Sequence, residues 1–209
     1  IDIETYVDDG VLSGADALVL RSAVAERRNI VISGGTSSGK TTLANALLAE
    51  IARCDERIVI LEDTRELQCA AHDLVALRTS PTVSLESLVR STMRLRPDRI
   101  IVGEVRGGEA LDLLKAWNTG HPGGIATVHA NSGRAALTRI EQLIGERTSQ
   151  VPCQLIADAV DLVVFIARDN GARRVSEILR VDGLDPIGGY QLRRAVPQDL
   201  VRLKEGTKR

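Results

Sequence analysis

Aromatic side chains are almost missing from this sequence, which has only Tyr6, Trp117, Phe165 and Tyr190. A surface that reads single-stranded nucleic acid needs rings along a basic groove for bases to stack on, and four scattered rings do not build one. Charge of one sign is missing too. Lys and Arg number 27 against 28 Asp and Glu, a formal net charge of −1, so no overall field draws the chain to nucleic acid or anionic lipid. Direct nucleic-acid binding is not expected. The three cysteines, Cys54, Cys69 and Cys153, form no CxxC pair. That argues against a zinc site or a disulfide framework and fits a reducing compartment. Long apolar runs are absent as well. The stretch from Val160 to Ala167 is broken by Asp161 and falls far short of the roughly 20 residues that span a bilayer. The start shows no basic-then-apolar leader, so export is not expected. An opening Ile1 in place of Met is read as the mark of an excised piece with something missing upstream.

With 209 residues, 44% of them apolar and 26% charged, the chain can bury a full core as one α/β unit. Short β-branched runs alternate with helical patterns, the signature of a parallel sheet with crossover helices. Strands are expected over Asn29–Ser33, Arg57–Leu61, Arg99–Gly103, Gly124–Val128 and Val160–Ile166. Helices are expected over Gly14–Glu26, Gly39–Arg53, Ser84–Leu95, Gly107–Trp117, Gly133–Ile144 and Pro152–Asp158. In the second of these, Leu43, Leu47 and Ile51 recur at i and i+4 as one apolar stripe. Arg173–Val181 and Gly188–Arg193 read as a terminal hairpin, turned by Asp185, Pro186, Gly188 and Gly189.

One motif carries chemistry. Gly34-Gly35-Thr36-Ser37-Ser38-Gly39-Lys40-Thr41 fits G-x-x-x-x-G-K-[ST] between an apolar strand and an amphipathic helix. Glycines let the backbone curl until successive N–H groups point inward, and the helix N-terminus adds partial positive charge. ATP phosphates are expected on Gly34 to Thr42, with Lys40 reaching the β- and γ-phosphates and the Thr41 hydroxyl on Mg²⁺. The plain alternative is a glycine-rich turn with a solvated lysine. Three further strands end in polar residues: Glu62 and Asp63, Glu104, and His129. Strand carboxyl ends face the ligand crevice of an open parallel sheet. Glu104 is therefore a candidate acid for Mg²⁺ through water, Glu62 for polarising the attacking water, and His129 for sensing the γ-phosphate. A turn or helix-cap role is the ordinary alternative for each acid. Arg94, Arg96, Arg99 and Arg106 bracket the Glu104 strand. They read either as solvated charges or, in part, as cations offered to a neighbouring subunit's phosphates.

Together these residues resemble the type II/IV secretion ATPase superfamily, which powers type IV secretion, conjugation, type II secretion and type IV pili. Four boxes occur in the family's order: the phosphate loop, Ile60-Leu61-Glu62-Asp63-Thr64-Arg65-Glu66-Leu67, Arg96 through Arg106, and Thr119-Gly120-His121 through Thr127-Val128-His129-Ala130-Asn131. Residues 62–69 and Gly120-His121-Pro122-Gly123-Gly124 look most like the TrbB-type conjugal-transfer branch. The resemblance implies a RecA-like P-loop NTPase core, a mostly parallel sheet flanked by helices with a C-terminal hairpin. Residues 1–27 would be a lead-in lacking its N-terminal domain, 28–170 the core and 171–209 a C-terminal extension. It further implies Glu62 as the water-activating acid, Glu104 as the Mg²⁺-side acid, His129 near the γ-phosphate, Arg94 and Arg106 completing the site, and a structural place for His121. ATP, ADP and Mg²⁺ would be the ligands. The assembly implied is a hexamer on the cytoplasmic face of the inner membrane, held there through secretion or conjugation components. Competing readings are a nucleotide-gated assembly module without hydrolysis, a ring that moves nucleic acid directly, and a pilus-assembly motor.

Overall fold

The computed structural model describes residues 2–169, 171–187 and 189–198; Ile1, Asn170 at the end of the expected core, Gly188 of the expected turn and residues 199–209 of the expected extension lie outside them. Eight strands form one sheet in the order β3-β2-β4-β5-β1-β6-β7-β8. They are β1 (Ile30–Gly34), β2 (Ile58–Glu62), β3 (Leu74–Arg78), β4 (Arg99–Val102), β5 (Ile125–His129), β6 (Leu162–Asp169), β7 (Ala172–Leu184) and β8 (Tyr190–Arg194). From β3 to β6 every pairing is parallel; β6–β7 and β7–β8 are antiparallel. The expected terminal hairpin is thus the end of the same sheet.

Strands β1, β2 and β4 are buried at every position. The period-2 alternation of side chains sends neighbours to opposite faces, and both faces are covered, which is why these runs read as continuously apolar. Ile30, Ile32, Ile58, Ile60 and Ile101 join one core with helices α1 (Ile3–Asp8), α2 (Gly14–Ala25) and α3 (Lys40–Ile51). Val31, Val59, Leu61, Ile100 and Val102 join a second core on the other face. That core holds α4 (Leu85–Thr92), α5 (Glu109–Asn118), α6 (Gly133–Gly145) and α7 (Cys153–Ala159). The expected helix over Ser84–Leu95 ends in a 3-10 turn, Met93–Leu95. Among the described residues, the six-residue α1 and the edge strand β3 were not expected from sequence.

The amino-terminal edge of the sheet is tied by polar residues, of which Asn29 and Arg99 are buried and Asp161 is half-buried. Asn29 Nδ2 donates to Ala159 O at 2.8 Å, and its Oδ1 accepts from Gly123 N at 2.8 Å and Gly124 N at 3.0 Å. Arg99 is 1% exposed and donates to Val24 O at 3.0 Å, Gly123 O at 3.3 Å and the Glu56 carboxylate. Asp161 accepts from Asn29 N at 2.8 Å and from Arg28 Nη1 at 3.2 Å. These bonds lock the start of β1, β4, β5 and β6 in register, so the opposite edge presents a fixed row of strand ends.

Candidate functional site

At that opposite edge β1 ends in Gly34 and the chain turns over the N-terminus of α3. Gly34 is required by space: a Cβ there would stand 2.3 Å from Ile166 O and 2.5 Å from Ser38 Oγ. Gly39 is required by backbone, at φ 104°, a left-handed conformation that favours glycine. Helices α2, α4 and α6 are capped by Ser13, Ser84 and Ser132. Gly39 gives α3 no side-chain cap. The first amides of α3 and its share of the helix dipole therefore face the cleft, where an anion would be stabilised.

The cleft has a volume of about 420 Å³, and Thr36 to Thr42 form its floor. Lys40 is 8% exposed. Its Nζ donates to Gly34 O at 3.1 Å and Gly35 O at 2.9 Å and stands 3.5 Å from His129 Nδ1. Burial lowers the Lys40 pKa from its ordinary value, while the charges of Glu104 and Glu66 oppose that shift. Thr41 Oγ1 donates to Glu66 Oε2 at 3.1 Å.

The ends of β2, β4 and β5 supply the far wall. Glu62 is 4% exposed, and its Oε1 accepts from Glu66 N at 2.9 Å and Leu67 N at 2.8 Å. One oxygen thus holds the turn after β2, the cap-like role open to any acid at a strand end, while Glu62 still lines the cleft. Glu104 Oε2 accepts from Arg106 Nε at 2.8 Å and Nη2 at 2.5 Å. His129 Nε2 stands 2.7 Å from Glu104 Oε1. The two are at ion-pair distance but not aligned as a hydrogen bond, which leaves Glu104 Oε1 buried and without a hydrogen-bond partner. Ser38 Oγ is buried without one as well. Unmet buried polar atoms are costly, and the residues carrying these two both line the cleft.

The structure brings Glu62, Glu104, Arg106 and His129 together around Gly34–Thr42, and Thr41 with them. It does not bring Arg94. Arg94 is exposed on the 3-10 turn, whose Leu95 carbonyl accepts from Arg57 Nη1 at 3.0 Å at the amino-terminal edge of β2 and β4. Strand β4 runs between Arg94 and Glu104, so ten residues of sequence separation become opposite ends of the sheet. Arg99 is corrected outright: buried among backbone carbonyls and Glu56, it is structural and cannot be offered to a neighbour. His121 Nδ1 lies 2.7 Å from Pro97 O, also at the amino-terminal edge. Sequence reasoning missed Glu66, Thr127 and Arg173 as cleft residues. Glu66 sits inside the quoted acidic box, and Thr127, on the same strand face as His129, could have been found by period-2 counting. Arg173 had no signal, since it arrives from the antiparallel return strand.

A parallel sheet carrying a glycine-rich loop at its carboxyl edge, a lysine opening the next helix and acids on the neighbouring strand ends define a RecA-like P-loop NTPase. The model of the family described as type II/IV secretion system protein matches residues 6–179, and the chain belongs to that family. The chain is 57% identical over 185 residues to the conjugal transfer protein TrbB of Rhizobium radiobacter, covering 88% of this chain and 57% of that one. To the type IV secretion system protein PtlH of Bordetella pertussis it is 40% identical over 185 residues, covering 79% and 53%. The crystal structure of the VirB11 ATPase from the Brucella suis type IV secretion system superimposes with a TM-score of 0.74 at 33% identity, covering 85% of this chain and 54% of that one. The chain thus spans little more than half the length of the relatives it matches.

Proposed function

We propose that this chain is the ATP-hydrolysing core of a motor for conjugation or type IV secretion. One observation carries the reading. The Lys40 ammonium, buried between the Gly34 and Gly35 carbonyls and His129, faces Glu104 and Glu62 across a cleft floored by uncapped helix amides. Catalysis of phosphoryl transfer is positioning plus charge stabilisation. Loop amides and Lys40 hold the phosphate chain. Glu62, with Oε1 committed to two amides, keeps its second oxygen to orient a water in line with the γ-phosphate. His129, next to both Lys40 and Glu104, registers whether that phosphate is present.

The residues fit Mg²⁺. Among the described residues no group of three or more His, Cys, Asp or Glu forms a metal cage, and Mg²⁺ on nucleotides takes one or two protein oxygens, with water and phosphate filling the rest. Thr41 Oγ1 would be its ligand, and Glu104 Oε1, which lacks a hydrogen bond, would reach it through water. When bound, the ion neutralises charge on the phosphate oxygens.

Similarity to TrbB, PtlH and VirB11 supports conjugation or type IV secretion as the work driven. We infer a hexamer on the cytoplasmic face of the inner membrane, recruited by the secretion components. No helix among the described residues is long and apolar enough to cross a membrane, so its attachment would be peripheral and through partners. Arg94, exposed at the amino-terminal edge, would serve a neighbouring subunit's site. The test is Lys40→Ala in the full-length protein: phosphate release falls roughly a hundredfold or more. Normal turnover in that variant would reject the assignment.

A further inference from the structure

The catalytic acids all approach the phosphate loop from one side. In the sheet order, β2, β4 and β5 lie on one flank of β1, while β6 and β7 lie on the other. Among the described residues, the one cation that reaches the cleft from that second flank is Arg173 on β7. A Cβ built on Gly39 would meet Arg173 Cδ at 3.1 Å and Nε at 3.3 Å, so this side chain lies directly over the start of α3.

Two observations favour an anion as the partner of this exposed guanidinium. It makes no hydrogen bond or ion pair with any described residue. Its partner across the β6–β7 ladder is Arg168, another exposed cation, which likewise has no such partner among the described residues. Directly opposed residues of an antiparallel pair share a face, and like charges there are destabilising. The nearest strongly anionic object in the proposed function is the nucleotide on the adjoining loop. If the acids and His129 fix the γ-phosphate end on the β2–β4–β5 flank, as the proposed function has it, the β6–β7 flank would face the nucleoside end.

We propose that Arg173 binds the phosphate nearest the nucleoside, the α-phosphate of ADP or ATP, with Arg168 adding to the field on the same face. This rests on the ATPase reading and sharpens it. Arg173 sets affinity for nucleoside di- and triphosphates alike and takes no part in breaking the β–γ bond. The guanidinium also lies near Tyr6 of α1, whose phenol feels its charge, and Val175 N bonds Val11 O at 2.8 Å.

The test compares wild type, Arg173→Gln and Arg173→Lys in the full-length protein. Calorimetric affinity for MgADP and ATP turnover are measured beside the melting temperature without nucleotide. The expected result is about a tenfold weaker ADP affinity in Arg173→Gln and partial recovery in Arg173→Lys. The apparent KM for ATP rises, with kcat and the nucleotide-free melting temperature unchanged. Wild-type affinity in Arg173→Gln overturns the proposal. So does a fall in kcat at unchanged affinity, which would place the guanidinium at the γ-phosphate. If wild type itself fails to bind ADP, the underlying nucleotide reading falls instead, and this proposal with it.

Discussion

Glu104 Oε1 and His129 Nε2 lie 2.7 Å apart, at the ends of the adjacent strands β4 and β5. Lys40 Nζ stands 3.5 Å from the other ring nitrogen of the same histidine, so one imidazole spans the gap between the acid and the phosphate-loop lysine. Glu104→Gln keeps the shape of this arrangement and removes the charge. Nucleotide affinity should stay within about threefold, while phosphate release falls on the order of a hundredfold. An ADP titration run beside a phosphate-release assay checks both. Loss of ADP binding would assign Glu104 to building the cleft rather than to the reaction.

The amino-terminal edge carries stability rather than chemistry. Asn29 is 4% exposed and its side chain makes three hydrogen bonds to buried backbone. Asn29→Ala leaves one carbonyl and two amides without partners and should cost about 2–4 kcal/mol. Urea unfolding measures it as a lower midpoint at constant slope. A cost within experimental error would mean that water replaces the amide.

Asp161 should give an inverted pH signature. Burial raises its pKa above the ordinary 3.8, more than the Asn29 amide and Arg28 lower it. The native state then holds the proton more tightly than the unfolded chain, so this group's contribution to stability falls as pH rises from about 4 through the raised native pKa. Ordinary paired carboxylates do the opposite. Unfolding free energies of wild type and Asp161→Asn, compared across acidic pH, should show wild type losing ground as pH rises. A difference that is flat, or that favours wild type at higher pH, would contradict the sign.

Much of this was legible in the chain. The five expected core strands were found because β1, β2 and β4 are apolar on both faces, and only a covered parallel sheet asks for that. Strand β3 was missed because, as an edge strand, it is half exposed, and its Leu74-Val75-Ala76-Leu77-Arg78 lacks the β-branched density of its neighbours. The six residues of α1 are too few to show a helical period. In the site, Glu62, Glu104 and His129 could be placed because each closes a readable strand, and direction alone sends strand ends to one edge. The arginines could not be sorted that way. Arg94, Arg99 and Arg106 lie within thirteen residues of sequence, yet one is exposed at the far edge, one is buried there and one pairs with Glu104. Strand β4 separates them, and only its position in three dimensions says which end each occupies. Arg173 depends on the register of β7 against β6, set by a bulge between Phe165 and Ile166 that no local pattern announces.

In the proposed function, main-chain amides from Gly34 to Thr42, with Lys40, enclose the phosphates of a nucleotide. Calorimetric titration of MgADP into the full-length protein tests it most directly. Saturable binding at one site per chain, abolished by Lys40→Ala with the melting temperature of the free protein retained, is the result expected. Silence from ADP, ATP and a non-hydrolysable analogue alike, or equal affinity in wild type and Lys40→Ala, would contradict it.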